Sequence, residues 1–390
     1  VAGAVQSGVA VNRAAKQPAE LATRDFERIL LVKPSSLGDV IHALPVLHGL
    51  RRRYPAAQID WLVAGAFAPL IRSHPDLSDV VIFDRGRFGR LWRSPRVAGE
   101  FASFLGDLRR RRYDLVIDLQ GLFRSAILTW ATRSPVRIGF TEAREGAPAF
   151  YTHRIPRQPV DRHAVDRNWA VGEMLGFADD CVEFDLALPA GVQAEVDAML
   201  RTADPAWDGR APLVAVAPGA RWDTKVWLPE RFAEVIDALV ERAGAHVVLL
   251  GSGGEAGLCD AIAAACRGRA ASLAGRTSLL QMAAVIARAN LVLCHDSAAV
   301  HLAVAVDRPA LCITGPTNPS RTGPYRRAGD VVRLDLACSP CYLRRLSQCR
   351  HGHACMRDLP AAAVTARALA ALEPASQSRP IGLPLSKGRE

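Results

Sequence analysis

The sequence predicts an α/β protein built from two Rossmann-like, doubly wound domains in tandem, each a parallel sheet covered by helices on both faces. Three observations predict it. Short, continuous apolar runs recur along the chain, as in strands buried on both sides. Helix-period patterns separate these runs, which gives βαβα order and right-handed crossovers. The chain has 390 residues, 49% of them hydrophobic, enough for two cores and too many for one ordinary domain.

Taken in order, residues 1–25 are rich in Ala, Val and Gly and weakly patterned. They read as a flexible extension without the basic and apolar regions of a signal peptide. The first domain is placed at 26–185. Strands are expected at 29–32, 59–63, 80–83 and 115–117. One helix should run from Gly38 through Ile41, Leu44, Leu47 and Leu50, and another should bury Val97, Phe101, Leu105 and Leu108. A further helix should follow Gly121. Residues 186–210 carry few strand signals and read as a short helix and linker. The second domain is placed at 211–372, with strands at 213–217, 246–250, 291–294 and 310–313 and helices near 232–242 and 278–288. An Ala-rich helix should follow Leu359. Residues 373–390 read as a flexible tail rich in Pro, Ser and Gly. No run of about 18 apolar residues predicts a membrane span. Two such domains place a ligand between the carboxyl ends of their strands.

The formal charge is +10. Much of the excess is arginine, as at Arg51 to Arg53 and Arg109 to Arg112, where cations suit helix C-termini or an anionic leaflet. Aromatic residues are few and no stacking platform appears, so nucleic acid is not expected as a partner.

Four segments have the residue types that chemistry needs. Lys33-Pro34-Ser35-Ser36-Leu37-Gly38-Asp39 joins the first strand to the first helix. Small residues there let a ligand approach the backbone, and the helix start offers free N–H groups. Asp39 suits a helix cap, and a carboxylate at a cleft mouth also suits a general base. Lys33 would hold an anionic group of the molecule being modified. Lys225, in Trp222-Asp223-Thr224-Lys225-Val226-Trp227, is either a surface lysine or a cation for a diphosphate leaving group. Asp296-Ser297-Ala298-Ala299-Val300-His301 opens a helix after a strand, a setting for pyrophosphate, although His301 also suits an interior site. The segment contains neither a dinucleotide G-x-G-x-x-G nor a Walker motif, and the glycine-rich turn at Gly251 to Glu255 misses the dinucleotide spacing, which argues against an oxidoreductase. Finally, four of the nine cysteines cluster as Cys338-x2-Cys341-x7-Cys349-x5-Cys355, a spacing open to a structural zinc or iron, to free thiols or to a disulfide. The other five read as thiols of a reducing compartment.

In combination the motifs Lys-x-Ser-Ser-x-Gly-Asp, Asp118-x-Gln120-Gly121-Leu122, Lys-x-Trp-x-Pro, Asp-Ser-x-x-x-His and Gly315-Pro316-Thr317 resemble glycosyltransferase family 9, the heptosyltransferases of lipopolysaccharide core assembly. The resemblance runs from about Arg28 to Ala371. It implies a GT-B fold with an acceptor-binding first domain and a sugar-nucleotide-binding second domain. By position it makes Asp39 the catalytic base and Lys225 the lysine at the donor diphosphate. Lys33, Ser35, Ser36, Gln120, Arg124 and Arg144 become acceptor-side residues. Asp296, Ser297, Ala298 and His301 form the donor loop, with Glu255 near the nucleoside or sugar. Many members have Gly where Ala298 stands, and only some carry the cysteines. The implied reaction transfers heptose from ADP-L-glycero-β-D-manno-heptose, with inversion and no metal in catalysis, to lipid A/Kdo or an already heptosylated core. Other acceptors, a surface glycan or a protein side chain, use the same chemistry. The resemblance implies a cytoplasmic protein, peripheral on the inner membrane.

Overall fold

The computed structural model describes residues 19–373 apart from 180, 268 and 269. Residues 1–18 of the expected extension and 374–390 of the expected tail lie outside the described residues. Residues Ala19–Ala22 form a short helix, and Leu21 is buried against the body, so the start of the first domain lies earlier than residue 26.

Among the described residues, twelve strands form two six-stranded sheets, parallel throughout. The first contains β1 Arg28–Val32, β2 Gln58–Val63, β3 Asp79–Ile82, β4 Leu115–Asp118, β5 Val136–Phe140 and β6 His153–Ile155, in the order β3-β2-β1-β4-β5-β6. The second contains β7 Leu213–Ala217, β8 His246–Leu249, β9 Ala270–Ser272, β10 Leu291–His295, β11 Ala310–Ile313 and β12 Val331–Val332, in the order β12-β11-β10-β7-β8-β9. Counted from its own first strand, each sheet has the order 3-2-1-4-5-6. The direction of winding reverses between β1 and β4, and again between β7 and β10. Ligands bind at such switch points, beyond the strands' carboxyl ends.

The strongly apolar strands lie where their patterns put them. Four others, β5, β6, β9 and β12, were not predicted. β5 is interrupted by Arg137 and Gly139, and the rest are two or three residues long. β9, Ala-Ala-Ser, has no branched or aromatic side chain, so it is a strand only because β8 pairs with it.

The first helix also differs from its pattern. It breaks into Leu37–Ile41 and Leu44–Arg53. Pro45 is the cause: it has no N–H to give Ile41, and its ring would clash with that carbonyl. His42 becomes the cap of the first piece. The linker region holds a full helix, Ala190–Ala203, with Val196 and Leu200 buried on the second half. One apolar cluster then continues through both halves, by way of the helices Leu279–Arg288 and Ala298–Ala305.

Candidate active site

The first half delivers its carboxylate through a helix start. Ser36 caps Leu37–Ile41, and Asp39 is the third helical residue, the spacing of a capping box. Asp39 Oδ2 accepts the Ser36 N–H at 2.9 Å and the Ser36 hydroxyl at 2.8 Å. The Lys33 ammonium lies 3.8 Å from Oδ1. Burial pushes the Asp39 carboxyl up, but Lys33 and the two Ser36 bonds outweigh it and hold it below the usual carboxylate range. Asp39 is therefore ionised at neutral pH while its side chain stays 43% exposed to the cleft.

Other first-half residues stand behind or beside this carboxylate. Lys33 is buried, and its ammonium donates to Leu119 O at 2.7 Å. The Ser35 N–H donates to Gln120 Oε1 at 3.3 Å. Gln120 is positioned by Asp118, whose Oδ1 accepts the N–H groups of Gln120 and Gly121 at 2.8 and 3.1 Å, and whose Oδ2 accepts the Tyr151 hydroxyl at 2.8 Å. Gly139 makes room for Tyr151: a Cβ there would sit 2.3 Å from the ring. Arg124 and Arg144 are exposed, and neither side chain has a partner among the described residues. Of the first-half candidates, Ser36 and Asp39 line the central cavity. Lys33, Ser35, Gln120, Arg124 and Arg144 do not.

That cavity, of roughly 720 Å³, is completed by the second half. Lys225 ends the short turn Asp223–Lys225, which is tied down just beyond its end by the buried Trp227, whose backbone N–H donates to His295 Nε2 at 2.9 Å. The Lys225 ammonium donates to Asp296 O at 2.8 Å and Asp296 Oδ2 at 2.9 Å. Oδ2 also accepts the hydroxyls of Thr317 and Thr322 at 2.7 and 3.2 Å. Burial raises the Asp296 carboxyl, but Lys225 and its other partners bring it below its ordinary value. Ser297 holds the N-cap position of the helix Ala298–Ala305 without a side-chain bond to it, and Ala298 begins the helix, half-buried on the cavity wall. Glu255 faces them across the cavity, its Oε2 accepting the Ser252 N–H and hydroxyl at 2.7 Å each. Gly219 permits this, since a Cβ there would lie 1.9 Å from Glu255 Oε1.

The halves meet through histidines. His42 Nε2 and His301 Nδ1 are 3.1 Å apart, one N–H donating to the other ring. Gly38 allows the approach, because a Cβ at 38 would lie 2.6 Å from His301 Cδ2. His163 lies edge-on to His42. Its Nδ1 accepts the Val165 N–H at 3.1 Å, so its Nε2–H donates to Gly323 O at 3.0 Å, again across the halves. Burial drives His301 down to about 4 and lowers His42 and His163 as well, so the cluster is neutral. Further bonds across the halves join Tyr325 to Asp166 at 2.6 Å and Asn318 to Asp161 at 3.1 Å. His42, His163 and Thr322 were not predicted, whereas Thr317 belongs to the Gly315-Pro316-Thr317 motif, a turn the sequence places after a strand on the same cleft. For His42 a signal existed: three residues after Asp39, it shares that residue's helix face.

Three of the clustered cysteines sit on a loop and Cys355 in the short helix Ala354–Arg357 that follows it, a segment packed against the Lys225 turn, with Leu343 O accepting from Thr224 and His353 bonded to Thr224 O at 2.8 Å. Cys338, Cys341 and Cys349 all bear on Cys355, whose thiol burial pushes up to about 11. All four are free. Among the described residues no three of their sulfurs come within 4.8 Å of one another, so as placed they do not close around one ion. Among the described residues, His48, Asp76 and Asp185 bring their ligand atoms within 4.8 Å of one another, and there His48 pairs with Asp76 and Glu183.

With this geometry in place, three likenesses bear on function. Lipopolysaccharide heptosyltransferase 1 of Pseudomonas aeruginosa is 35% identical over 317 residues, spanning 80% of this chain and 86% of that protein. Lipopolysaccharide heptosyltransferase 1 of Escherichia coli K12 is 29% identical over 311 residues, 78% of this chain and 93% of that one. The solved E. coli heptosyltransferase WaaC with ADP-2-deoxy-2-fluoro heptose superposes with a TM-score of 0.67 at 27% identity, covering 88% of this chain and 99% of that one. Residues 101–351 match the family described as glycosyltransferase family 9 (heptosyltransferase). The two parallel sheets, facing each other across a shared cleft, are the GT-B arrangement, and this chain belongs to glycosyltransferase family 9, the heptosyltransferases.

Proposed function

We propose that the enzyme transfers heptose from ADP-L-glycero-β-D-manno-heptose to a sugar hydroxyl of the lipopolysaccharide inner core, with inversion and with Asp39 as the general base. The relatives' names and the ADP-heptose analogue in the solved relative support the donor and the pathway. The observation that carries the reading is one cavity lined by the ionised Asp39 from one half and by Lys225, Asp296 and a helix start from the other.

In the proposed step the acceptor hydroxyl passes its proton to Asp39 as its oxygen bonds the anomeric carbon. The bond from that carbon to the diphosphate breaks in line, and ADP leaves with the electron pair. The depressed pKa keeps Asp39 unprotonated through the neutral range at some cost in basicity. Lys225 is already paired with Asp296, so it is not a free charge waiting for the diphosphate. The N–H groups that open Ala298–Ala305 and the Lys225 ammonium share the load on the leaving group. With those donors the step requires no metal. Lys33, held 3.8 Å from Asp39, tunes the base from behind. The acceptor side, with Ser35, Ser36, Gln120, Arg124 and Arg144, receives a lipid-linked Kdo or heptose at the cytoplasmic face of the inner membrane.

Asp39→Asn tests the reading. The amide keeps the shape and cannot take the proton, so turnover should fall by about 10³-fold with donor affinity changed less than about threefold. Wild-type turnover by this variant would refute the base assignment.

A further inference from the structure

We propose that Arg321, seated against Tyr342 of the cysteine-bearing segment, carries the uncompensated positive charge that meets the diphosphate of the donor. The inference deepens the sugar-nucleotide reading above and rests on it. Its starting point is a shortage of charge. Among the described residues, the ionised groups lining the cavity are Arg221, Lys225 and Arg321 on one side and Asp39, Glu255 and Asp296 on the other. Lys225 and Asp296 neutralise each other at 2.9 Å. A diphosphate beside that pair meets no net charge from it, and the diphosphate gains a further negative charge as the sugar leaves. Arg221 is exposed, and its side chain has no partner among the described residues. Arg321 is half-buried, pairs with no carboxylate among the described residues and is anchored.

The anchor is a closed ring of contacts. Thr317 and Thr322 both give their hydroxyls to Asp296 Oδ2, so Arg321, the residue before Thr322, stands beside the same carboxylate. Pro316 O, one residue before Thr317, accepts the N–H groups of Cys341 and Tyr342 at 3.1 and 2.8 Å. These two bonds bring Tyr342 to the cavity wall. There its hydroxyl accepts from Arg321 Nη1 at 3.4 Å, and its ring centre lies 5.6 Å from the guanidinium carbon. An aromatic face steadies a guanidinium without neutralising it. The planar fork then stays available for two parallel bonds to phosphate oxygens, which an ammonium cannot make.

The first half fixes the same segment from outside. Asn318 accepts the Ser320 N–H at 3.0 Å and donates to Asp161 at 3.1 Å, and Gly323 O accepts from His163 at 3.0 Å. Arg321 lies between these two ties, so its place in the cavity is set with the two halves together. Arg344 has no such place: it lies over Trp222, 5.1 Å from the ring centre, and does not line the cavity.

The affinity of the full-length chain for ADP and for adenosine should be measured by calorimetry without acceptor. Arg321→Gln should weaken ADP about 30-fold and change adenosine, which has no phosphate, less than about twofold. Arg321→Lys should recover part of the loss, to about fivefold weaker than wild type, as a point charge in place of a fork. Tyr342→Ala should weaken ADP about fivefold through the lost seat, and Tyr342→Phe, which keeps the ring, less than about twofold. The inference is overturned if Arg321→Gln binds ADP as wild type does. It is overturned equally if adenosine weakens in step with ADP, which would assign Arg321 to the shape of the pocket and not to the diphosphate. Wild-type ADP affinity in Tyr342→Ala would overturn the seat. A wild type that binds ADP beside an indifferent Arg321→Gln sinks this inference alone, whereas a wild type blind to ADP sinks the sugar-nucleotide reading with it.

Discussion

The two halves share one sheet order and place their acids at matching points, yet they use them differently. Each half has an acid at the end of its fourth strand: Asp118 is the last residue of β4, and Asp296 is the first residue after β10. Asp118 is enclosed by uncharged donors from Gln120, Gly121 and Tyr151, and burial pushes its carboxyl up. Asp296 is equally enclosed, but Lys225 is among its partners and its carboxyl is pulled down. Each half also has a Ser-x-x-acid turn on the cleft. Ser36 holds Asp39 with Lys33 3.8 Å behind it, while Ser252 holds Glu255 with no cation in its hydrogen bonding. Burial alone pushes an enclosed carboxyl up, as at Asp118, and a neighbouring cation reverses that, as Lys225 does at Asp296 and Lys33 at Asp39.

The strongest attempt to break this comparison is Asp296→Ala. It strands the Lys225 ammonium and the hydroxyls of Thr317 and Thr322 in a part-buried pocket. Urea unfolding should show a loss of about 3–5 kcal/mol. A loss under about 1 kcal/mol would mean that Lys225 finds water easily and the pair is not a structural hub.

The histidine contact between the halves makes a smaller, pH-dependent prediction. His301 is held near 4, against 6.5 for the ordinary side chain, by burial that Asp296 and Asp39 offset and that His163 and Lys225 reinforce. The unfolded chain therefore takes up the proton first. Stability should fall as the pH drops from about 6.5 toward about 4, by on the order of 2–3 kcal/mol from this residue. His301→Gln should flatten that slope, and an unchanged slope would assign the acid sensitivity to other groups.

Glu255→Gln sharpens the contrast between the two Ser-x-x-acid turns with the smallest effect. The amide can still accept from Ser252, so the turn should persist. Donor KM should rise about fivefold, roughly 1 kcal/mol, with kcat nearly unchanged. A fall in kcat as deep as that of Asp39→Asn would show that both carboxylates take part in the chemical step.

The sequence by itself determined the α/β class, the two-domain plan and the strands nearest the switch points. Strands such as Leu213–Ala217 and Ala310–Ile313 are continuous apolar runs that have no other stable home than a buried parallel sheet. It also brought out Asp39, Lys225, Asp296 and His301, because helix starts after strands are written in small and hydroxyl residues. The tertiary structure alone decided which of these face one cavity. Ser36 and Asp39 reach it, whereas Lys33 and Gln120 turn behind the carboxylate and Arg124 and Arg144 point to solvent. It alone decided that Lys225 is paired internally, that edge segments such as Ala-Ala-Ser are strands, and that His42 meets His301. The physical reason is the same in each case. Local periodicity and capping act over a few residues, while a charge partner 71 residues away or a ring contact 259 residues away exists only once both sheets have formed.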